Sequence, residues 1–314
     1  MTFDAPADPA YPLMQDWIQQ WNDVEARLSL LLLAPQQKPD FGGQLETLHQ
    51  RIMAMHTLDA DATLYWLFQL AASSTVGYSV SHSMVCASLC RLVAEELKLE
   101  PAARDGLTRA ALTMNIAMTR LQDELAAMTE APSAEQRELI ETHAPRGAQW
   151  LRELGVTDAL WLHTVEQHHD ASSADLPTRI LMATDRYAAL ISPRETRPGR
   201  CITDSGRYVV VRSGDTMDEV GHALLRTVGI CPPGTFVRLI DERVAVVLRR
   251  SGQPGEPWVA AVLDAQGHPV PEPELVHTGE DGYGIEAALI SRTVRVRLNH
   301  PRLLQLSRMA AARQ

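Results

Sequence analysis

The chain has 314 residues, 45% of them hydrophobic and 22% charged, and its formal net charge is -10. That is enough apolar material for one large domain or two modest ones, and the acidic balance argues against general nucleic-acid binding, because phosphate must be met by a basic surface. The longest apolar run, within Leu28–Pro35, is too short to span a bilayer, and no basic and apolar leader opens the chain, so a cytoplasmic location off the membrane is expected.

Taken in chain order, the first third reads as helical. Met14, Trp17, Ile18, Trp21, Val24, Leu28 and Leu31 recur at steps of three and four, and Pro35 follows as a stop. Gln36–Gly43 reads as a polar loop, and Leu45, Leu48, Ile52, Met53 and Met55 as a second helix. Asp59 or Asp61 can cap a third, with Leu64, Leu67, Phe68 and Ala71 on its buried side. Trp17 and Trp21 read as core, or as packing in a homodimer. The middle third is a run of helices with short connections.

The character changes at Cys231-Pro232-Pro233-Gly234. Beyond it, Phe236–Ile240, Val244–Leu248, Trp258–Leu263 and Val294–Leu298 read as short strands, with clear alternation in Thr293–Leu298. Arg249, Arg250 and Ser251–Pro257 read as an exposed loop, and the tail after Pro301 as a short helix. The division expected is 1–74, an N-terminal helical segment; 75–230, a helical domain; and 231–314, a small β-rich region. The cysteines Cys86, Cys90, Cys201 and Cys231 show no zinc-ribbon spacing, and Cys86 and Cys90, one turn apart on an apolar stripe, read as buried small hydrophobes. Ser83 and Ser88 lack a nucleophile-elbow context, and the glycine-rich 279–284 reads as a turn rather than a phosphate loop.

Five polar residues sit where apolar ones are expected. His82 leads the stripe Val85, Cys86, Leu89, Cys90, Val93. His143 follows Leu139 and Ile140, just before Pro145, where the chain direction is expected to restart. His168 and His169 end a helix, both within about 60° of the direction of buried Val165. Asp185 lies between Leu181 and Ala188. One such residue reads as a hydrogen-bonded core group. Five together also read as metal ligands, since an ion satisfies several buried polar groups at once. Spacing alone leaves both readings standing.

These residues stand in the order of a known set of motifs. Ser81-His82-Ser83-Met84-Val85 resembles the His-Ser-x-x-Val that opens HD-GYP domains of the HD phosphohydrolase superfamily. Ala110–Met118 lies where that family has Ala-x-Leu-x-His-Asp-Ile-Gly-Lys. His143 with Gly147 resembles its third histidine and following glycine, and His168-His169-Asp170 its His-His-Glu. Arg179–Leu190, continued by Ser192-Pro193-Arg194, resembles its Arg-Ile-Leu-x-x-x-Asp-x-x-x-Ala-Leu helix. Gly229–Leu239 is similar to the Gly-x-Tyr-Pro-Pro-Gly segment that often follows. The resemblance covers roughly 77–263. It implies a mainly α fold: an HD-superfamily helical bundle with additional N-terminal helices and a small C-terminal β-rich appendage.

The family cleaves the bacterial second messenger cyclic di-GMP with two or three metals. By resemblance, His82, His143, His168, His169 and Asp185 occupy metal-ligand positions. Met114 and Asn115 stand in place of the His-Asp pair, and Met118 in place of the lysine. The acid expected upstream of His82 is absent, with Val76 and Tyr78 in that area. The Gly-Tyr-Pro loop is deleted, leaving only Asp170–Thr178 before Arg179. Asn115 is a neutral, weak bridge and Met114 a soft thioether. Without a metal pair, a bound water is not brought from a pKa of about 15.7 towards about 7. By resemblance, His143, His168 and His169 serve one metal together, so one zinc, iron or manganese ion at most is expected. His82 and Asp185 are too few for a second.

The function expected is a degenerate HD-GYP-like signalling module without cyclic di-GMP phosphodiesterase activity. It would bind cyclic di-GMP, another nucleotide or a signalling protein, and Arg194, Arg197 and Arg200 either meet phosphate or form a solvated loop. The alternative is a metal-dependent phosphodiesterase with a rebuilt site, in which Asp170 or Glu141 supplies the missing carboxylate.

Overall fold

The structure, a computed structural model, describes residues 10–73, 77–170, 172, 175–191, 219–253 and 255–314. The N-terminal periodicity forms α1 (Ala10–Leu33), with Trp21, Val24 and Leu28 at 1%, 0% and 0% exposure on its inner side. Trp17 and Trp21 are both buried in this core, edge to face. A short 3-10 turn at Pro35 leads to α2 (Phe41–Leu58). Gly42 and Gly43 belong to this helix and not to the preceding loop, because the Asp40 carboxylate accepts from the Gly43 amide and starts it early. Asp59 caps α3 (Ala60–Ser73) by accepting from the Ala62 amide.

The next helix, α4 (Tyr78–Glu96), is the axis of the molecule: 16 of its 19 residues are buried. Two of its serines bond locally, Ser81 to the Tyr78 carbonyl and Ser83 to that of Val80, which satisfies their hydroxyls inside the core. Around it lie α5 (Pro101–Thr113), α6 (Thr119–Ala127), α7 (Ala134–Glu153), α8 (Ala159–Gln167) and α9 (Leu176–Ile191). A Ser133–Gln136 capping box starts α7, and Asp158 caps α8. Pro145 does not redirect the chain; α7 runs through it to Glu153. No helix among the described residues is long and apolar enough to cross a membrane.

After α10 (Glu219–Val228), the Pro-Pro-Gly turn enters an antiparallel sheet of β1 (Phe236–Leu239), β2 (Val244–Arg249), β3 (Trp258–Leu263), β4 (Pro269–His277) and β5 (Ile285–Leu289), ordered β4-β3-β2-β1-β5. Gly234 has φ +90 and rests against Phe68 and Tyr65 of α3, where a β-carbon would come within 3.0 Å. Register pairs Val237 with Ala245 and Val246 with Ala260. The chain closes with α11 (His300–Ala311).

Three expectations fail in this region. Val294–Leu298 is not a strand: its apolar residues pack on the core without a pairing partner. β4 and β5 form where no strand was expected. Arg249 is not in an exposed loop; at 8% exposure it bonds both Asp59 and Asp61, and its Nε donates to the Ser307 carbonyl of α11. Arg250 bonds Asp61 at 2.6 Å and the Thr227 carbonyl. One hydrophobic core therefore runs from Met14 and Trp21 through α4 to Val246, Leu248 and Leu304.

Candidate metal centre

Four helices deliver the residues singled out by their stripes: α4 carries His82, α7 His143, the end of α8 His168 and His169, and α9 Asp185. His82, His143 and His168 are 1–2% exposed. His169 is exposed and Asp185 half-buried, so the five do not all face inward. His168 is the C-cap of α8 and His169 lies past it, where helical rotation no longer sets direction.

His143, His168 and His169 nevertheless meet. Their ring centroids lie 5.1, 4.9 and 4.1 Å apart, and one nitrogen of each is within 4.8 Å of the others. Two of the rings are fixed by their own helical turns. His143 Nδ1 is 2.5 Å from the Ile140 carbonyl, and His168 Nδ1 is 2.7 Å from that of Val165. A carbonyl only accepts, so both Nδ1 atoms carry the proton. In neutral rings both Nε2 atoms are then lone pairs, and they face each other 3.2 Å apart. A second proton on either ring would join them, but the environment opposes it. Burial first, then the neighbouring His169, pushes His168 down to about 3. Burial likewise lowers His143, against the pull of its bond to Ile140. Opposed lone pairs in a buried site are the arrangement that a cation satisfies.

The second group is His82, Cys86 and Asp185, whose candidate ligand atoms also lie within 4.8 Å of one another. His82 Nε2 is 2.8 Å from Asp185 Oδ1 and 3.7 Å from Cys86 Sγ, and its ring stacks on Tyr78 at 5.6 Å. Burial alone would raise Asp185; the hydrogen bond and charge of His82, with His168 and His169, outweigh it and hold the carboxyl well below its usual range. Its charge also reaches His143 and His168, so the two groups share one electrostatic neighbourhood. Among the described residues they share no ligand. Cys86 belongs here although its stripe read as plain core; the missed signal is its position four residues after His82, which puts both on one helix face.

Met114, Asn115 and Met118 lie between α5 and α6. Met114 is fully buried and Asn115 nearly so. The Met114 carbonyl and Ile116 pack against Gly147 of α7 beside Val165 of α8, on the seam that carries His143 and His168. Met118 lines a separate cavity of about 560 Å³ with Leu33, Arg120 and Arg146. Neither carboxylate named as a replacement joins a ligand group: Glu141 is exposed, and Asp170 accepts from the amide and hydroxyl of Ser172. Arg194, Arg197, Arg200 and Cys201 lie outside the described residues.

No family model matches the chain. A cyclic di-GMP phosphodiesterase from Pseudomonas aeruginosa is 26% identical over 221 residues, which cover 65% of this chain and 53% of that protein. The chain thus spans about half the length of that relative. An HDG"Y"P protein from Bdellovibrio bacteriovorus shares the fold at a TM-score of 0.51, with 13% identity, over 70% of this chain and 73% of that one. The motif order and these two likenesses support an assignment to the HD superfamily, on the side of its HD-GYP proteins.

Proposed function

We propose that this chain is an HD-GYP-like signalling module that holds a divalent transition ion on His143, His168 and His169 and binds, without cleaving, cyclic di-GMP or a related nucleotide. The observation that carries the reading is the pair of buried Nε2 atoms 3.2 Å apart on rings whose Nδ1 atoms are already bonded to backbone carbonyls. Zinc, iron and manganese all accept such nitrogen donors. When bound, the ion supplies Lewis acidity towards an oxygen of water or phosphate. The chain's own part is orientation: Ile140 and Val165 hold the imidazoles with Nε2 forward. The ligand class comes from likeness to the Pseudomonas relative. Loss of catalysis rests on neutral Asn115 at the motif's acidic position and on two ligand groups with no carboxylate in common.

The relative's named activity favours a second reading, a working phosphodiesterase with a rebuilt centre. One set of measurements separates the two: metal content of tag-free protein, calorimetry with cyclic di-GMP, and turnover with manganese, zinc or iron. The proposal expects bound metal that falls by one ion per chain in His168→Ala, saturable nucleotide binding and no turnover. Hydrolysis that disappears in His168→Ala would establish the second reading. An unchanged metal content in that variant would end the three-histidine site.

A further inference from the structure

We infer that Cys86 completes a second cation site with His82 and Asp185, one suited to a soft or borderline ion such as zinc. The inference rests on reading the polar cluster as ion-binding, but not on the three-histidine ion. It revises the expectation that His82 and Asp185 are too few to hold metal.

The geometry is close to what such an ion needs. Tetrahedral zinc, with bonds of about 2.3 Å to sulfur and about 2.0–2.1 Å to nitrogen and oxygen, places its ligand atoms roughly 3.4–3.6 Å apart. His82 Nε2 and Cys86 Sγ are 3.7 Å apart. His82 Nε2 and Asp185 Oδ1, at 2.8 Å, are now in hydrogen-bond contact and must open by about 0.6 Å to admit the ion. The three come from two helices packed along their length: His82 and Cys86 are successive turns of α4, and Asp185 is on α9.

Cys86 also differs from the other cysteine of its stripe. Cys90 has the Thr184 hydroxyl at 3.2 Å, an ordinary polar neighbour in the core. Cys86 has a ring nitrogen at 3.7 Å and the Thr184 carbonyl only at 4.0 Å. Access is from one side: the Asp185 side chain is 19% exposed while His82 is buried behind it. On binding, the Cys86 S–H bond breaks, its proton leaves to solvent, and the thiolate donates to the cation. A thiolate in the set shifts preference from magnesium and manganese towards zinc and cobalt.

Cobalt(II) titration of the full chain tests this, because a cobalt–thiolate bond gives a near-ultraviolet charge-transfer band that nitrogen and oxygen ligands do not. The band is expected in the wild type, in Cys90→Ser and in His143→Ala, and should vanish in Cys86→Ser with the loss of one ion per chain. Should Cys86→Ser fail to fold, X-ray absorption of the zinc-loaded wild type decides through a sulfur shell at about 2.3 Å. Failure to take up a sulfur-bound ion at saturation, or a band that survives Cys86→Ser, overturns the site. Failure of the three-histidine reading has a different signature, unchanged cobalt content in His143→Ala with the sulfur band intact.

Discussion

Arg249 and the imidazoles of His143 and His168 are all buried, yet their surroundings treat them differently. Around Arg249 every charge has an opposite: Asp59 and Asp61 take the guanidinium, Arg250 adds a second cation on Asp61, and the Ser307 carbonyl takes Nε. This network joins α3, the sheet and α11. Around His143 and His168 the Nδ1 atoms are satisfied by backbone, while the Nε2 atoms confront each other. One buried polar cluster is complete as the chain supplies it; the other leaves two ring nitrogens opposed, and on the proposed function a bound ion completes it. On that reading the first serves cohesion and the second binding.

The largest expected effect breaks the complete cluster. Arg249→Ala leaves half-buried Asp59 without its cation and buried Asp61 with Arg250 alone, and denaturant unfolding should show a loss of about 3 kcal/mol. Metal content per folded chain should not change. A variant that loses metal but keeps its stability would collapse the distinction.

The next effect is the converse. In chelator, His168→Ala should unfold within about 1 kcal/mol of the wild type, since it also removes the lone-pair confrontation. With zinc at a hundredfold over the Kd of the three-histidine site, the wild type should gain about 2.7 kcal/mol from that site and the variant should lack this increment. Thermal melts with and without metal would show it.

The smallest effect sharpens the comparison with acid. His49 and His56 are pushed down to about 4, chiefly by burial, from an ordinary value of 6.5. The unfolded chain takes up these protons near 6.5 while the folded chain refuses them until about 4. Stability is therefore full above pH 6.5 and falls as the pH drops through that window. From pH 7 to 5.5 each should cost about 1 kcal/mol, and His56→Leu should flatten the slope by that amount.

The sequence carried the centre better than the periphery. His82, His143, His168 and Asp185 were legible because a polar residue on an apolar stripe breaks a strong periodic pattern. His169 was misplaced because it lies past the helix end, where periodicity stops applying. Cys86 was hidden by its own chemistry, since a thiol fits an apolar stripe without disturbing it. Arg249 was read as loop because its partners are 188 and 190 residues away in the chain, beyond any local pattern. The alternation of Val294, Val296 and Leu298 correctly reports one buried face, but burial of a face does not require a neighbouring strand. β4 escaped because its prolines look unlike a strand, and an edge position tolerates them.

The placement of His168 and His169 at the tail of a nine-residue helix has a further result. Aligned peptide dipoles leave roughly half a negative elementary charge at that end, so the backbone itself attracts whatever cation the imidazoles take. On the proposed function, ion release and fraying of this terminal turn are coupled, and amide exchange near the end of α8 should slow when the site is loaded.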